Sequence, residues 1–242
     1  MKKEKWHEAE VVKIAALTAN IHRFWLKVKD VTLFDFKPGQ FVTLDLPMGE
    51  KSKDRWRSYS IASPPAGNSV FELVVMSLPG GKASGYLFHE TIEGTTFKFN
   101  GPLGKFVLPD KIENDLCFIC TGTGIAPFRS MLKHLTNKGQ AHKNIYLFFG
   151  TRYLTDVLFR EELEQLQKTF PHFTYQYVLS KEDSTDYNGL KGHIHQLYET
   201  EFADKRTADF YLCGWRGMIQ EARERLDAMG YLSKNIHQEV YD

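Results

Sequence analysis

Hydrophobic residues in the first 110 positions come in short runs that turn residues interrupt at close spacing. The runs include AEVVKIAAL, IHRFWLKV, GQFVTLDL, RSYSIAS and VFELVVMSL, and between them lie Pro38-Gly39, Pro64-Pro65 and Pro79-Gly80-Gly81. Short apolar runs with frequent turn signals are typical of antiparallel β-structure. The pattern therefore predicts an all-β antiparallel barrel, with a sandwich as the alternative, and one or two helical turns at residues 84–91.

The pattern changes after residue 110, where strand-like apolar runs alternate with amphipathic segments. The strand-like runs are DLCFIC, NIYLFFG, FTYQYVLS, DFYLCG and IHQEVY, and the helical segments between them are APFRSMLKHL, DVLFREELEQLQKTF, HIHQLYETEF and GMIQEARERLDAMG. Alternating β and α units predict a doubly wound α/β domain, with a parallel five-stranded sheet and helices on both faces. We expect domains at 1–110 and 111–242, joined through LPDKIEND at 108–115.

Composition narrows the class of protein. Lys and Arg total 31 against 30 for Asp and Glu, and 42% of residues are hydrophobic. A globular protein without a basic surplus is expected, which argues against a nucleic-acid partner. No stretch reaches the roughly 20 apolar residues of a membrane span, so we predict a cytoplasmic protein. The sequence does not indicate an oligomeric state.

The chain has three cysteines, Cys117, Cys120 and Cys213. The spacing of Cys117 and Cys120 is compatible with a metal or redox pair. However, positions three apart on a strand point to opposite faces, and no second CxxC or His pair completes a zinc site. We therefore predict buried structural thiols and no metal site.

Two glycine-containing loops suggest phosphate binding. In CTGTGIAPFRS, Gly122 and Gly124 allow a ligand to approach the backbone, and the following helix directs free N–H groups to the same place. In PGGKAS, Gly80 and Gly81 precede a helix for which Ser84 is the expected N-cap. Taken alone, the first loop is equally consistent with a tight strand–helix turn, and the second is better explained as a hairpin turn.

Five motifs occur in order, namely RSYS at 57–60, GKAS at 81–84, GPLGKF at 101–106, GTGIAPF at 122–128 and CGWRGM at 213–218. Their set and spacing resemble the ferredoxin–NADP reductase superfamily over nearly the whole chain. The resemblance implies an FAD-binding first domain and a second domain that binds a nicotinamide nucleotide.

The resemblance assigns roles to the first-domain motifs, although the strand residues alone are also consistent with ordinary strand positions. Arg57 would pair with the FAD pyrophosphate, Tyr59 would lie against the isoalloxazine, and Ser60 would place its hydroxyl at the flavin N5 edge as a catalytic residue. The implied FAD-binding residues are Arg57, Ser58, Tyr59, Ser60, Gly81, Lys82, Ala83 and Ser84.

The resemblance also assigns a nucleotide site to the second domain. The family's loop beneath the pyrophosphate and nicotinamide is matched by Gly122, Thr123 and Gly124. The C-G-x-x-G-M turn of the family is matched by Cys213, Gly214 and Met218. Cys213 would align the nicotinamide for transfer, with a buried structural cysteine as the alternative. The 2′-phosphate of NADPH would meet Ser180, Lys181 and Arg152, whose alternative role is ordinary surface exposure.

The closing QEVYD resembles plant-type members, whose chains end in E-V-Y. By that match Tyr241 would stack over the flavin face, and Glu239 would position the nicotinamide or relay protons. Asp242 departs from the pattern and could shift Tyr241 off the ring.

Together these features predict an FAD-dependent oxidoreductase. It would transfer hydride between NAD(P)H and FAD, and single electrons to or from a small carrier, ferredoxin or flavodoxin. The expected cofactors are FAD and NADP(H), with NAD(H) as the alternative. Two other functions remain open: a reductase component of an oxygenase, cytochrome or free-flavin system, and a non-catalytic electron-transfer subunit of a complex.

Overall fold

The computed structural model describes residues 6–139 and 142–241. By contacts within the chain, these residues form two compact units. The first unit holds the described residues through Leu108 together with Ala126–Lys138. The second holds Pro109–Ile125 and the described residues from Gly139 onward. The proposed domain boundary at residue 110 stays a prediction.

The first unit is built on one antiparallel sheet. Its six strands are β1 (Trp6–Thr18), β2 (Ile21–Val28), β3 (Phe41–Asp45), β4 (Trp56–Ser60), β5 (Val70–Met76) and β6 (Thr96–Leu103). The strand order is β4-β3-β6-β1-β2-β5, and an antiparallel bridge between Ile61 and Leu73 joins the two edges. Sheet closure of this kind confirms the predicted antiparallel β domain.

Alternate residues of these strands fill the interior of the first unit. Val42 and Leu44 on β3, like Phe97 and Phe99 on β6, are almost fully buried, as period-two patterning requires. Two short helices, α1 (Ser52–Arg55) and α2 (Lys82–His89), lie in the connections. Helix α2 packs Ala83 and Leu87 on this interior.

Helix α3 (Ile125–Lys138) follows the first strand of the second half, yet Ala126–Lys138 groups with the first unit. Arg129, only 2% exposed, donates to the Ala62 carbonyl and to Glu72, each at 2.8 Å. The Ser130 hydroxyl donates to the Ser63 carbonyl at 2.6 Å. The helix ends at Gly139, which adopts the left-handed conformation.

The second unit contains a parallel sheet with the order β11-β10-β7-β8-β9. Its strands are β7 (Asp115–Thr121), β8 (Ile145–Thr151), β9 (Phe173–Leu179), β10 (Ala208–Trp215) and β11 (Ile236–Tyr241). Its helices are α4 (Arg160–Thr169), α5 (His195–Glu201) and α6 (Arg216–Ala228). The order confirms the predicted doubly wound sheet, in which the chain winds first toward β9 and then toward β11.

Helices cover both faces of the parallel sheet. Helices α5 and α6 pack on a face that includes Cys117 and Phe210. Helix α4 lies against the other face, where the Tyr175 backbone N–H donates to the Gln167 side chain. Helix α4 begins at Arg160, later than predicted, because Phe159 takes a left-handed conformation with φ 55° and ends the preceding turn.

The cysteines behave as structural thiols. All three are free and buried. Cys117 packs with α5 and α6, whereas Cys120 lies on the opposite face and its thiol donates to the Phe148 carbonyl at 3.8 Å. Burial raises the pKa of both thiols well above the ordinary value. In the ranges 6–139 and 142–241, no helix is long and apolar enough to cross a membrane.

Candidate functional site

The two glycine turns of the second unit meet at the centre of the parallel sheet. Strands β7 and β10 are neighbours. The Gly122–Gly124 turn follows β7, and the glycine turn at Cys213-Gly214 lies within the carboxyl end of β10. A Cβ at Gly124 would lie 2.4 Å from the Cys213 carbonyl oxygen, and one at Gly214 would lie 2.6 Å from Thr121 Oγ1. The turns therefore touch through their backbones at the switch point where such sheets bind ligands.

Two of the predicted catalytic residues lie side by side at this edge. In the parallel register Cys213 pairs with Cys120 on one side and with Glu239 on the other, so the three side chains share one face. Burial raises the pKa of the Cys213 thiol well above its ordinary value, and the Glu239 carboxylate adds to the shift. The Cys213 thiol is therefore protonated at neutral pH and is not a nucleophile.

The last strand brings two aromatic residues to the same place. Tyr241 pairs in register with Trp215, and the Tyr241 hydroxyl lies beside the Cys213 thiol. Trp215 is 69% exposed, which is unusual for so large an apolar side chain. Stacking of Tyr241 on a flavin stays a prediction, and Asp242, proposed to disturb it, lies outside the described residues.

The residues predicted to hold a 2′-phosphate also come together. The Ser180 N–H donates to the Thr151 carbonyl at 2.9 Å, and the Lys181 N–H donates to the Arg152 carbonyl at 3.0 Å. Arg152, Ser180 and Lys181 are all exposed. Within the described ranges, neither Arg152 nor Lys181 forms an ion pair with a carboxylate, so both cations are available to an anionic ligand.

The amino-terminal edge of the same sheet is different. There Arg206 binds Asp115 at 3.1 Å and also pairs with Glu201 and Asp204. The cation at this edge is thus neutralised by protein carboxylates. The carboxyl-terminal edge, by contrast, presents the exposed cations Arg152 and Lys181.

The Met218 side chain is 4% exposed and packs in the core with α5 and α6. Its role in nucleotide binding stays a prediction. The sequence interpretation missed Thr121 and Trp215. The Thr121 hydroxyl accepts the Trp215 N–H at 3.3 Å, and only the fold brings these residues together. The position of Thr121 directly before the glycine loop was the available signal.

The predicted flavin strand is β4, which pairs antiparallel with β3. Arg57 stands opposite Leu44 and Tyr59 opposite Val42, so both side chains lie on the face that carries the barrel interior. Burial raises the pKa of Tyr59 to about 12, while the nearby Arg57 guanidinium opposes the shift. Ser58 points the other way, with its hydroxyl 2.9 Å from that of Thr43, and Ser60 is buried.

The second predicted FAD loop differs from the expectation in one respect. The prediction that Ser84 caps α2 is wrong, because the helix begins at Lys82 and its N-cap is Gly81. The Ser84 hydroxyl instead accepts the Leu78 N–H at 3.0 Å and donates to the Gly81 carbonyl at 3.1 Å. Ser84 therefore closes the loop from inside. Lys82 is exposed, and Ala83 is buried.

Both predicted phosphate loops have the backbone form that such a ligand requires. Gly80 and Gly122 have φ of 72° and 55°, and no described atom lies within 4 Å of a Cβ built on either. Backbone N–H groups in left-handed turns with open space above them suit an anion. In the described part of the chain, Arg57 Nη1 donates to the Lys53 carbonyl at 3.2 Å and to the Trp56 carbonyl at 2.7 Å. The donor set therefore fits FAD in the first unit and a dinucleotide in the second.

Comparison with known proteins agrees with both expected cofactors. Residues 8–108 match the oxidoreductase FAD-binding domain, and residues 118–224 match the oxidoreductase NAD-binding domain. The chain is 33% identical over 243 aligned positions to ferredoxin–NADP reductase B of Sorangium cellulosum (strain So ce56), with 97% of each chain covered. It is 30% identical to the anthranilate 1,2-dioxygenase electron transfer component of Acinetobacter baylyi, over 87% of this chain.

A solved structure gives the same result. The cytochrome P450 reductase GcoB of Amycolatopsis superposes with a TM-score of 0.86 at 25% identity, covering 98% of this chain and 69% of that one. The present chain spans 60% of the length of the anthranilate dioxygenase component, but 97% of the Sorangium reductase.

Fold, family models and loop geometry define a two-domain flavoprotein oxidoreductase that binds FAD and a nicotinamide nucleotide. The chain belongs to the ferredoxin–NADP reductase family. The predicted fold class, enzyme class and cofactors are confirmed at this level. The roles of individual site residues stay predictions.

Proposed function

We propose that this reductase uses NADPH in preference to NADH and exchanges single electrons with a small acidic carrier of the ferredoxin or flavodoxin type. Bound FAD supplies the adaptor chemistry, because a flavin accepts a hydride and releases electrons one at a time. The observation that carries the nucleotide preference is that Arg152 and Lys181 are adjacent and exposed, and that neither pairs with a carboxylate of the described residues. The free buried thiols support the predicted cytoplasmic location, since they suit a reducing compartment.

In this proposal β4 and the α2 loop hold FAD. Arg57 binds the pyrophosphate, and the backbone of Gly81, Lys82 and Ala83 supports it, with Ser84 keeping the loop closed. Tyr59 remains protonated, since its pKa is about 12, and presents a neutral ring to the isoalloxazine. Ser60 places its hydroxyl at the N5 edge.

The carboxyl edge of the parallel sheet orients the nicotinamide nucleotide. The turn formed by Gly122, Thr123 and Gly124 offers backbone N–H donors to the pyrophosphate. Gly214 has no side chain, which allows the Cys213-Gly214 backbone to lie close to Thr121. The neutral Cys213 thiol aligns the nicotinamide by packing, and Glu239 beside it fixes the polar edge of the ring. Catalysis then rests on positioning and on the exclusion of water.

An exposed basic and aromatic surface supports the acidic carrier. Lys51 directly precedes α1 and Lys53 lies within it. Both are exposed, and in the described part of the chain neither pairs with a carboxylate. By contrast, Arg55 binds Asp45 at 2.8 Å. Trp56, 37% exposed at the start of β4, packs against Trp6 with ring centroids 5.2 Å apart. Lysines around an exposed tryptophan suit a transient, salt-sensitive partner.

The test compares nucleotides and carriers in steady state. We expect kcat/KM to favour NADPH over NADH, and a ratio favouring NADH by more than about tenfold would overturn the nucleotide assignment. Lys51→Glu with Lys53→Glu should raise KM for ferredoxin at low salt and leave ferricyanide reduction unchanged. Lys27→Glu, an exposed lysine on β2, is the matched control. Equal effects of the two charge reversals would contradict the carrier surface.

A second candidate function is the reductase component of an oxygenase. It is favoured by the 30% identity to the anthranilate 1,2-dioxygenase electron transfer component, of which this chain spans 60%. Reduction of a purified oxygenase in preference to ferredoxin would support it. A non-catalytic subunit would bind FAD but would not turn over NADPH with ferricyanide.

A further inference from the structure

The two ends of the loop that follows β9 are hydrogen-bonded to each other, and the loop contacts the loop that follows β8. The Leu179 N–H donates to the Leu190 carbonyl at 3.1 Å, and the Gly192 N–H donates to the Leu179 carbonyl at 3.0 Å, so the ends of residues 180–190 meet. The first residues of the loop run beside Thr151 and Arg152, as described above. Two loops with separate origins in the chain therefore build one surface.

The Glu182 side chain connects these two loops beyond their first residues. Glu182 Oε2 accepts the backbone N–H of Leu154 at 2.9 Å, and Glu182 Oε1 accepts the backbone N–H of Ser184 at 3.1 Å. These two backbone hydrogen bonds lower the pKa of Glu182, and Lys191 adds to the effect, so the carboxylate is ionised at neutral pH. Leu154 follows Arg152 by two residues, and Glu182 directly follows Lys181.

We propose that Glu182 is the positioning residue that holds Arg152 and Lys181 at a fixed spacing for the 2′-phosphate of NADPH. The inference rests on the nucleotide preference proposed above and deepens it. Glu182 does not need to touch the nucleotide. It acts through the loop backbones that carry the two cations.

We call the two hydrogen bonds of the Glu182 carboxylate, to the Leu154 and Ser184 N–H groups, the brace. The cation pair needs it for a physical reason. Arg152 and Lys181 carry like charges, are exposed, and have no carboxylate partner in the described ranges, so nothing in their own side chains draws them together. The bonds from Ser180 to Thr151 and from Lys181 to Arg152 hold the starts of the two loops together, and the Glu182 bridge extends this contact as far as Leu154. Without the bridge, the ligand must order both loops when it binds, and that cost weakens binding.

Two other roles for Glu182 predict opposite results. If the carboxylate acts only through its charge, its removal relieves repulsion of a phosphate dianion and tightens binding of the 2′-phosphate. If it binds the ribose 2′-hydroxyl directly, its removal weakens nucleotides that lack the phosphate. The brace alone predicts selective loss for the phosphorylated ligand.

The experiment titrates 2′,5′-ADP and 5′-AMP into the FAD-loaded enzyme by calorimetry. Glu182→Ala should weaken the affinity for 2′,5′-ADP by about tenfold, because it removes two hydrogen bonds to a charged group that order the loops around the 2′-phosphate. The affinity for 5′-AMP should change by less than about twofold, because that ligand has no 2′-phosphate and does not need the two loops to be ordered. Glu182→Gln keeps one acceptor and should fall between. Asp183→Ala removes the same charge from an exposed neighbour and is the matched control.

Two outcomes overturn the brace. Tighter 2′,5′-ADP binding in both Glu182→Ala and Asp183→Ala would show a charge effect, and weaker 5′-AMP with unchanged 2′,5′-ADP would show ribose binding. Failure of the nucleotide proposal looks different, because wild-type protein would then bind 2′,5′-ADP no tighter than 5′-AMP. Hydrogen exchange at the Leu154 and Ser184 amides, expected to be faster in Glu182→Ala, reports on the brace without any nucleotide.

Discussion

Replacing Gly122, Gly124 or Gly214 with alanine distinguishes two free-energy costs at the nucleotide loop, namely backbone strain and steric clash. Gly122 has φ 55° with open space around its Cβ position, so alanine meets backbone strain alone. Gly124 has an ordinary φ of −61°, but its Cβ would lie 2.4 Å from the Cys213 carbonyl oxygen, so alanine meets a clash alone. Gly214 combines φ 129° with a Cβ 2.6 Å from Thr121 Oγ1.

The magnitudes follow from these geometries. Left-handed backbone costs a non-glycine residue about 1–2 kcal/mol, which is the expected effect of Gly122→Ala. Gly124→Ala must open the turn against backbone rather than a flexible side chain, at an overpacking cost of about 1–3 kcal/mol. Gly214→Ala bears strain and clash together, about 2–6 kcal/mol, and should be the most severe of the three.

Two measurements on FAD-loaded protein report the effects of these substitutions on nucleotide affinity and on stability. Titration with NADP⁺, followed by difference absorbance, gives nucleotide affinity, and urea unfolding gives the free energy of unfolding. We expect affinity to fall in the order Gly122→Ala, Gly124→Ala, Gly214→Ala, with flavin retained throughout. Gly85→Ala in α2, where no described atom lies within 4 Å of the added Cβ, is the control.

The reasoning would be refuted by wild-type nucleotide affinity in Gly124→Ala. That result would mean that the contact between the Gly124 turn and the Cys213 turn does not shape the nucleotide site. Loss of flavin in Gly124→Ala would also contradict it, since the clash lies wholly within the second unit.

Three other predictions concern FAD, pH and thiol chemistry. Arg57→Ala should weaken FAD binding by about 1.5–3 kcal/mol, as measured by fluorescence of released flavin, whereas Lys27→Ala, at an exposed position of β2, should have little effect. Equal losses would argue against the pyrophosphate contact. Burial lowers the pKa of His195 below its ordinary value of 6.5, so the unfolded chain takes up this proton more readily. The contribution of His195 to the free energy of unfolding should therefore be complete above about pH 6.5 and decline below it. Urea unfolding of His195→Gln should show a smaller decline of the free energy of unfolding between pH 7.5 and 5.5 than the wild type. An unchanged slope would contradict this. Because burial raises the pKa of Cys213, iodoacetamide at pH 8 should modify it only after unfolding, and rapid labelling of folded protein, read by mass spectrometry, would show an exposed thiolate instead.

Local pattern was sufficient to determine the two kinds of fold. Short apolar runs with close turns and the later alternation of strand and helix differ in period, and period depends only on neighbouring residues. The end of α3 at Gly139 was equally local, because glycine alone takes the left-handed conformation at little cost. The motif RSYS and the glycine loops likewise carried the family in their order along the chain.

The tertiary structure decided what depends on residues far apart in the chain. Gly124 must be glycine because the Cys213 carbonyl approaches it, and that approach exists only once β7 and β10 are neighbours. Ser84 looked like a helix cap but closes its own loop, since the helix start depends on how Leu78 and Gly81 turn.

Glu182 carried no signal in the sequence, because its partner Leu154 lies 28 residues away and presents only a backbone N–H. Any residue except proline offers that donor, so the side-chain pattern holds no trace of the bond. The sequence determined which elements form and which ligands they suit. The packing of distant backbones decided which residues lie next to one another, as Glu182 lies beside Leu154.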